Sequence, residues 1–215
     1  MAEASRDFLS SPLGRACLPV GRWEEPSVSE AMRVIAGTAK GHHLKGPRGR
    51  GLRPTSDLVR GAIFDVLAAM DADLTRALDL YAGTGALGIE ALSRSAQWCD
   101  FVEKDARSCR LIRENLESTG LADRAAVHCW PVEKVLTRLD GQYSLILADP
   151  PYGDEKAASV LQGVAASSLV GPDTVIVVEH SQRRTLPPAL GPCGLISSRR
   201  HGDTCISVYR PGGSL

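Results

Sequence analysis

The stretch Ala77-Leu78-Asp79-Leu80-Tyr81-Ala82-Gly83-Thr84-Gly85-Ala86-Leu87-Gly88 runs from a short apolar segment into closely spaced glycines and then into helix-forming sequence. A buried strand, a tight turn and a helix are the local structures that this order favours. Downstream, short apolar runs keep alternating with amphipathic stretches, the signature of a parallel sheet covered on both faces. Strands are expected at residues 77–81, 98–103, 125–128, 144–149 and 174–179, and helices at 88–94, 105–118, 132–139 and 155–168. Two further strands, 195–199 and 204–209, are joined tightly by His201-Gly202-Asp203 and form a C-terminal antiparallel hairpin. The expected fold is α/β and Rossmann-like: a mostly parallel seven-stranded sheet with helices on both faces.

Upstream of this domain the pattern weakens. Residues 1–31 mix Ser, Pro, Gly and charge without a sustained apolar period and are expected to be a disordered leader. Residues 32–54 are expected to form a small hairpin, starting with Arg33-Val34-Ile35, followed by a basic loop. The main domain is expected over 55–215. It opens on a helix that Thr55 or Ser56 caps and that places Leu58, Val59, Ala62, Ile63, Val66 and Leu67 on one face.

A chain of 215 residues with 43% hydrophobic content suffices for one well-buried core. No apolar run is long enough to cross a membrane and the first residues lack a secretory pattern, so the cytoplasm is the expected location. Six cysteines without any Cys-x-x-Cys pair argue against both a metal site and a disulfide framework. Formal net charge is zero, yet between Arg33 and Arg60 seven basic residues face a single acid, Asp57. Such a local excess suits a polyanion.

Glycines in the 83–88 turn let the backbone approach a ligand, and Glu103 closes the next strand about twenty residues on, where a carboxylate accepts ribose hydroxyls. A nicotinamide dinucleotide would share these features. Asp79, however, stands four residues before the first glycine, and a carboxylate there repels diphosphate while attracting a cation. S-adenosylmethionine carries both an ammonium and a sulfonium, and is the expected cofactor. Its expected contacts are Asp79, Tyr81, Ala82, Gly83, Thr84, Gly85, Ala86, Gly88, Glu103, Lys104, Trp130 and Asp149.

The fourth strand ends in Asp149-Pro150-Pro151-Tyr152. Two prolines cannot donate to a ladder, so the sheet stops there and the chain turns over its carboxyl edge, where open α/β sheets bind ligands. An exocyclic amine on an aromatic base is a poor nucleophile because its lone pair is delocalised. Acceptors such as the Asp149 carboxylate and the Pro150 carbonyl would take its two N–H bonds and aim the lone pair, while Tyr152 would stack on the base. Asp149, Pro150, Pro151 and Tyr152 are the expected catalytic residues.

Taken with Arg33-Val34-Ile35-Ala36-Gly37, Arg53-Pro54-Thr55-Ser56-Asp57, Val102-Glu103-Lys104-Asp105 and Gly202-Asp203-Thr204, these motifs resemble the bacterial small-subunit ribosomal RNA guanine-N2 methyltransferases of the RsmD type. The resemblance runs from Arg33 to about Tyr209. It implies a class I methyltransferase fold, S-adenosylmethionine as donor, and the N2 amine of a guanine in 16S rRNA, within the small subunit or its assembly intermediate, as acceptor. Two local departures are Cys129-Trp130-Pro131 after the third strand and His201 before Gly-Asp-Thr, where an aromatic Tyr is common. Expected RNA contacts are Arg33, Lys40, Arg48, Arg50, Arg53, Thr55, Arg60 and His201, with Arg199 and Arg200 as further candidates, and the enzyme is expected to act as a monomer. The competing reading is a DNA adenine-N6 or other nucleic-acid amino-methyltransferase, since the same tetrapeptide can align any exocyclic base amine. Little chain remains for a DNA-reading element.

Overall fold

The computed structural model describes residues 32–46, 56–151, 153–154 and 156–214. The expected leader and the site candidates Arg48, Arg50, Arg53, Thr55 and Tyr152 therefore lie outside the described residues.

Helix α1, Asp57–Ala69, starts where the Ser56 hydroxyl accepts the Val59 N–H at 3.3 Å. Five strands then alternate with helices: β1 Arg76–Leu80, α2 Ala86–Arg94, β2 Trp98–Glu103, α3 Ala106–Thr119, β3 Ala125–Cys129, α4 Val135–Arg138, β4 Tyr143–Ala148, α5 Ala157–Ala165 and β5 Val170–Ser181. Two of these helices show why they begin and end where they do. The Asp105 carboxylate accepts the Ser108 N–H at 2.8 Å to cap α3, and Gly120, in the left-handed region, ends it. The chain finishes with β6 Ala189–Leu190, β7 Cys193–His201 and β8 Thr204–Pro211.

The sheet order is β3-β2-β1-β4-β5-β8-β7-β6, with β1 to β5 parallel and the last three strands antiparallel. Seven strands were expected and the sheet has eight among the described residues. The additional one, β6, has two residues and pairs only with β7, too short to leave an alternating pattern in the sequence. The chain leaves β1 toward β2 and β3, then returns to lay β4 on the opposite side. That reversal is the topological switch point at which ligands bind in such folds.

Side chains on one face of the sheet, among them Ala77, Phe101, Leu145, Val177 and Val208, pack with α1, α2 and α3. On the other, Leu78, Leu80, Ile146 and Tyr209 pack with α4 and α5. Met32, Val34, Ala39 and Leu44 belong to the first of these cores, so residues 32–46 are packed onto the domain rather than standing apart. The expected hairpin shrinks to one bridge, Arg33 to His43. Leu58, expected on the apolar face of α1, is 71% exposed; the helix turns Arg60 inward instead.

Glu90 anchors the 32–46 segment to α2. Its carboxylate is completely buried and accepts the Ile35 N–H at 2.8 Å, the Ala36 N–H at 3.0 Å and Arg94 Nε at 2.8 Å, with Arg60 Nε 3.7 Å away. Arg60 also donates to the Arg33 carbonyl and to Asp57. Gly37 (φ 85°) completes the joint: a Cβ there would lie 1.9 Å from the Ser93 carbonyl oxygen. Removing a buried acid that balances two guanidinium groups costs about 3–5 kcal/mol. Glu90→Ala should therefore lower the thermal midpoint by roughly 10 °C for a chain of this size, measured by calorimetry.

Candidate active site at the carboxyl edge

Register sets the geometry. Leu80, the last residue of β1, pairs with Val102 on one side and Ala148 on the other. The next residues in each strand, Tyr81, Glu103 and Asp149, thus stand level at the carboxyl edge, with one strand spacing of about 4.8 Å between neighbours. Glycine loop and Asp-Pro-Pro segment are brought together at the switch point.

Leaving β1, Tyr81 adopts φ 59°, a left-handed conformation unusual for a bulky residue. Strain of this kind, of order 1–3 kcal/mol, collects where a backbone must be shaped for a ligand. The Ala82 N–H donates to the Val102 carbonyl at 3.1 Å, the Gly85 N–H closes a turn on the Ala82 carbonyl at 2.7 Å, and Gly85 caps α2 at φ 78°. Gly83 faces open space: a Cβ there would meet nothing nearer than the Tyr81 carbonyl oxygen at 3.8 Å. Tyr81, Gly83 and Thr84 remain partly exposed, whereas Ala82, Gly85, Ala86 and Gly88 are buried.

At Gly88, an expected cofactor contact, a Cβ would lie 2.3 Å from the Phe101 ring, so the missing side chain serves close packing of α2 on β2. The Gly88 N–H donates to Asp79 Oδ2 at 2.9 Å. Asp79 is 1% exposed and thus shapes the loop from beneath. Burial first of all, and then the Asp149 and Glu103 carboxylates, hold its carboxyl well above the usual carboxylate range, against the lowering effect of the Gly88 hydrogen bond. Three acids from the ends of β1, β2 and β4 therefore share one electrostatic neighbourhood, and a cation would relieve their mutual repulsion.

Glu103 ties the site together through its two oxygens, one accepting the Gly83 N–H at 2.9 Å and the other the Asp105 N–H at 2.8 Å. Each carboxylate oxygen has a second lone pair, so capacity remains for two hydroxyl donors. Lys104 beside it is exposed. Trp130 follows β3, whose Cys129 pairs with Glu103, and meets His128 edge-on at 5.1 Å between ring centroids. Arg138 lies over its ring at 5.8 Å. On the β4 side Asp149 is half-buried and Pro150 buried, while Pro151 is exposed. Beyond them the Asp154 N–H donates to the Pro151 carbonyl at 2.9 Å, and Arg184 donates to the Asp154 carbonyl at 3.0 Å, fixing the loop to the end of β5.

Among the cationic candidates, Lys40 and Arg33 are exposed, the latter 3.5 Å from Asp57. Arg60 is a correction: it has no exposed surface and pairs internally with Asp57 and Glu90, because its place on α1 faces the core. Asn115 was not foreseen. Fully buried on α3, it donates to the Thr84 and Lys45 carbonyls at 3.0 and 3.1 Å and accepts the Lys45 N–H at 2.8 Å, joining the glycine loop to the N-terminal segment. A polar amide on the apolar stripe of an amphipathic helix was its one signal.

A glycine turn on β1, an acid ending β2 and an acid–proline turn ending β4 of this sheet define the site of a Rossmann-like methyltransferase. The family model described as conserved hypothetical protein 95 matches residues 32–210, and the chain belongs to that family, the RsmD-type family. The putative rRNA methyltransferase YlbH of Bacillus subtilis is 34% identical over 85% of this chain and 100% of its own length. Ribosomal RNA small subunit methyltransferase D of Escherichia coli is 29% identical over 86% of this chain and 92% of its own. Among solved structures, the putative methyltransferase yhhF from Escherichia coli superposes with a TM-score of 0.73 at 28% identity, covering 86% of this chain and 99% of that one.

Replacing Asp79 by Asn keeps an acceptor for Gly88 and removes a buried ionisable group. A carboxyl raised in the folded state destabilises once it ionises, and that penalty is absent below the unfolded carboxylate range. Asp79→Asn should raise the thermal midpoint at neutral pH, with the gain shrinking as pH falls into the ordinary carboxylate range; melting curves from acid to neutral pH read this.

Proposed function

We propose that this chain transfers a methyl group from S-adenosylmethionine to the exocyclic N2 amine of a guanine in small-subunit ribosomal RNA, acting as a cytoplasmic monomer on the small subunit or its assembly intermediate. The observation that carries the reading is the β2-β1-β4 register that sets Glu103 and Asp149 on either side of Tyr81. Support for RNA as the substrate comes from the names of the relatives.

The residues present fit such a donor. Gly83 leaves room for close approach of a ligand, and Glu103 retains lone pairs for the ribose hydroxyls. Tyr81, Ala82, Thr84, Gly85 and Ala86 shape the loop, while Trp130 and Lys104 flank the adenine side. Glu103 and Asp149, whose charges both act on the buried Asp79 carboxyl, supply a negative field for the ammonium and sulfonium of the donor's methionine end. Bound there, S-adenosylmethionine supplies an electrophilic methyl group on its sulfonium.

This chain's own task is to present the amine. Asp149 carboxylate and the Pro150 carbonyl accept its two N–H bonds, drawing the nitrogen toward a tetrahedral geometry and directing its lone pair. Pro151 stiffens the turn, and Tyr152 supplies an aromatic face for the base. The methylated amine is acidic, so Asp149 or water takes the proton afterwards, and no strong base is needed. Arg33, Lys40, Arg48, Arg50 and Arg53 neutralise RNA phosphates, and the Thr55 hydroxyl donates a hydrogen bond to one.

The test uses small subunits from a strain deleted for the enzyme, the purified chain, and mapping of the methylated nucleotide. Transfer to one guanine is expected. Asp149→Ala should lower kcat by about 100- to 1000-fold while leaving S-adenosylhomocysteine affinity within about threefold by calorimetry. Retained turnover would refute the role of Asp149, and methylation of duplex DNA in place of subunits would select the DNA reading.

A further inference from the structure

Outside the catalytic edge lies a groove of about 510 Å³ between α1 and the antiparallel strands. Its apolar wall comes from Ala69 and Met70 of α1 and Ile196 of β7. Its polar lining includes Asp65 on the helix side and Arg199 and His201 on the strand side.

Three details mark it as a place built for a ligand. His201 Nε2 is buried yet has no hydrogen-bond partner, which is rare for a ring nitrogen that could instead face water. Arg199 is exposed, and its side chain makes no ion pair or hydrogen bond among the described residues. Asp65, also exposed, offers an acceptor across the groove. Apolar walls with a cation, a hydrogen-bonding ring nitrogen and a carboxylate acceptor at their rim match an unpaired nucleotide: a base between the walls, its amino group on the acid, its phosphate on the arginine.

Position supports the same occupant. His201 pairs with Thr204, which pairs with Ser181 at the end of β5, so the groove opens at the edge that carries Asp149. The strands β4, β5, β8 and β7 are consecutive and Ser198 lies level with Ala148, so His201, three residues further on, stands about 17 Å from the end of β4. An RNA strand spans that in a few nucleotides. The Arg48, Arg50 and Arg53 stretch immediately precedes α1 in sequence.

We propose that the α1–β7 groove binds an unpaired nucleotide of the RNA substrate a few positions from the methylated base, with Arg199 on its phosphate and His201 and Asp65 on its base. This rests on the reading of the chain as an RNA methyltransferase. It makes the groove a substrate-specificity site separate from the donor site and from the target-base pocket.

The test compares wild type with Arg199→Glu, which reverses the phosphate contact, and with Ala69→Trp, which fills the groove from an exposed helix position. Steady-state methylation of undermethylated small subunits and calorimetry with S-adenosylhomocysteine are the readouts. Both variants should raise KM for the subunit about tenfold, with kcat at saturating subunit and affinity for S-adenosylhomocysteine within about twofold of wild type. Arg199→Glu should also flatten the salt dependence of KM, as loss of a phosphate contact requires. Wild-type transfer with unchanged KM in both variants overturns the groove alone. No transfer by wild type to any RNA overturns the functional reading, and this inference with it.

Discussion

A buried carboxylate under a glycine turn is the constraint on which the site depends. Asp79 cannot reach water, and its hydrogen bond to the Gly88 N–H fixes where α2 begins. Gly88 in turn presses against Phe101 of β2 with no side chain between them. Once helix and strand are locked in this way, the backbone from Tyr81 to Gly85 has one path, and Glu103 holds that path from the other side through Gly83. Strain at Tyr81 is tolerated because these contacts over-determine it.

The same arrangement stores electrostatic tension. Burial, and after it the charges of Asp149 and Glu103, make ionisation of the Asp79 carboxyl costly. A cation in the loop would offset that cost, whereas a diphosphate would add to it. Trading stability for function in this manner is common where activity needs a charge that folding alone would not keep.

A second set of buried polar contacts attaches the N-terminal segment. Glu90 gathers two backbone N–H groups and two arginines, and Asn115 links Lys45 to Thr84. Both tie residues 32–46 to the elements that carry the glycine loop. Placement of the exposed cations Arg33 and Lys40 relative to the site thus follows from two buried polar side chains.

Glycine spacing, the proline pair after Asp149 and the alternation of apolar runs were all legible in the chain, because each acts through local backbone rules. Prolines end a strand wherever they fall, and a glycine turn between strand and helix has few other uses. Strand β2 came out with the expected bounds, and its neighbours within a residue or two. The inward turn of Arg60, the exposure of Leu58, the packing duty of Gly88 and the bridging role of Asn115 were not legible. Each depends on which face of a helix meets which distant strand, and hydrophobic pattern alone does not say when a buried position is filled by a polar group with partners dozens of residues away. The adjacency of Glu103 and Asp149 belongs with these: residues 46 positions apart in the chain meet because both strands pair with β1 in a common register, a decision made by packing of the whole sheet.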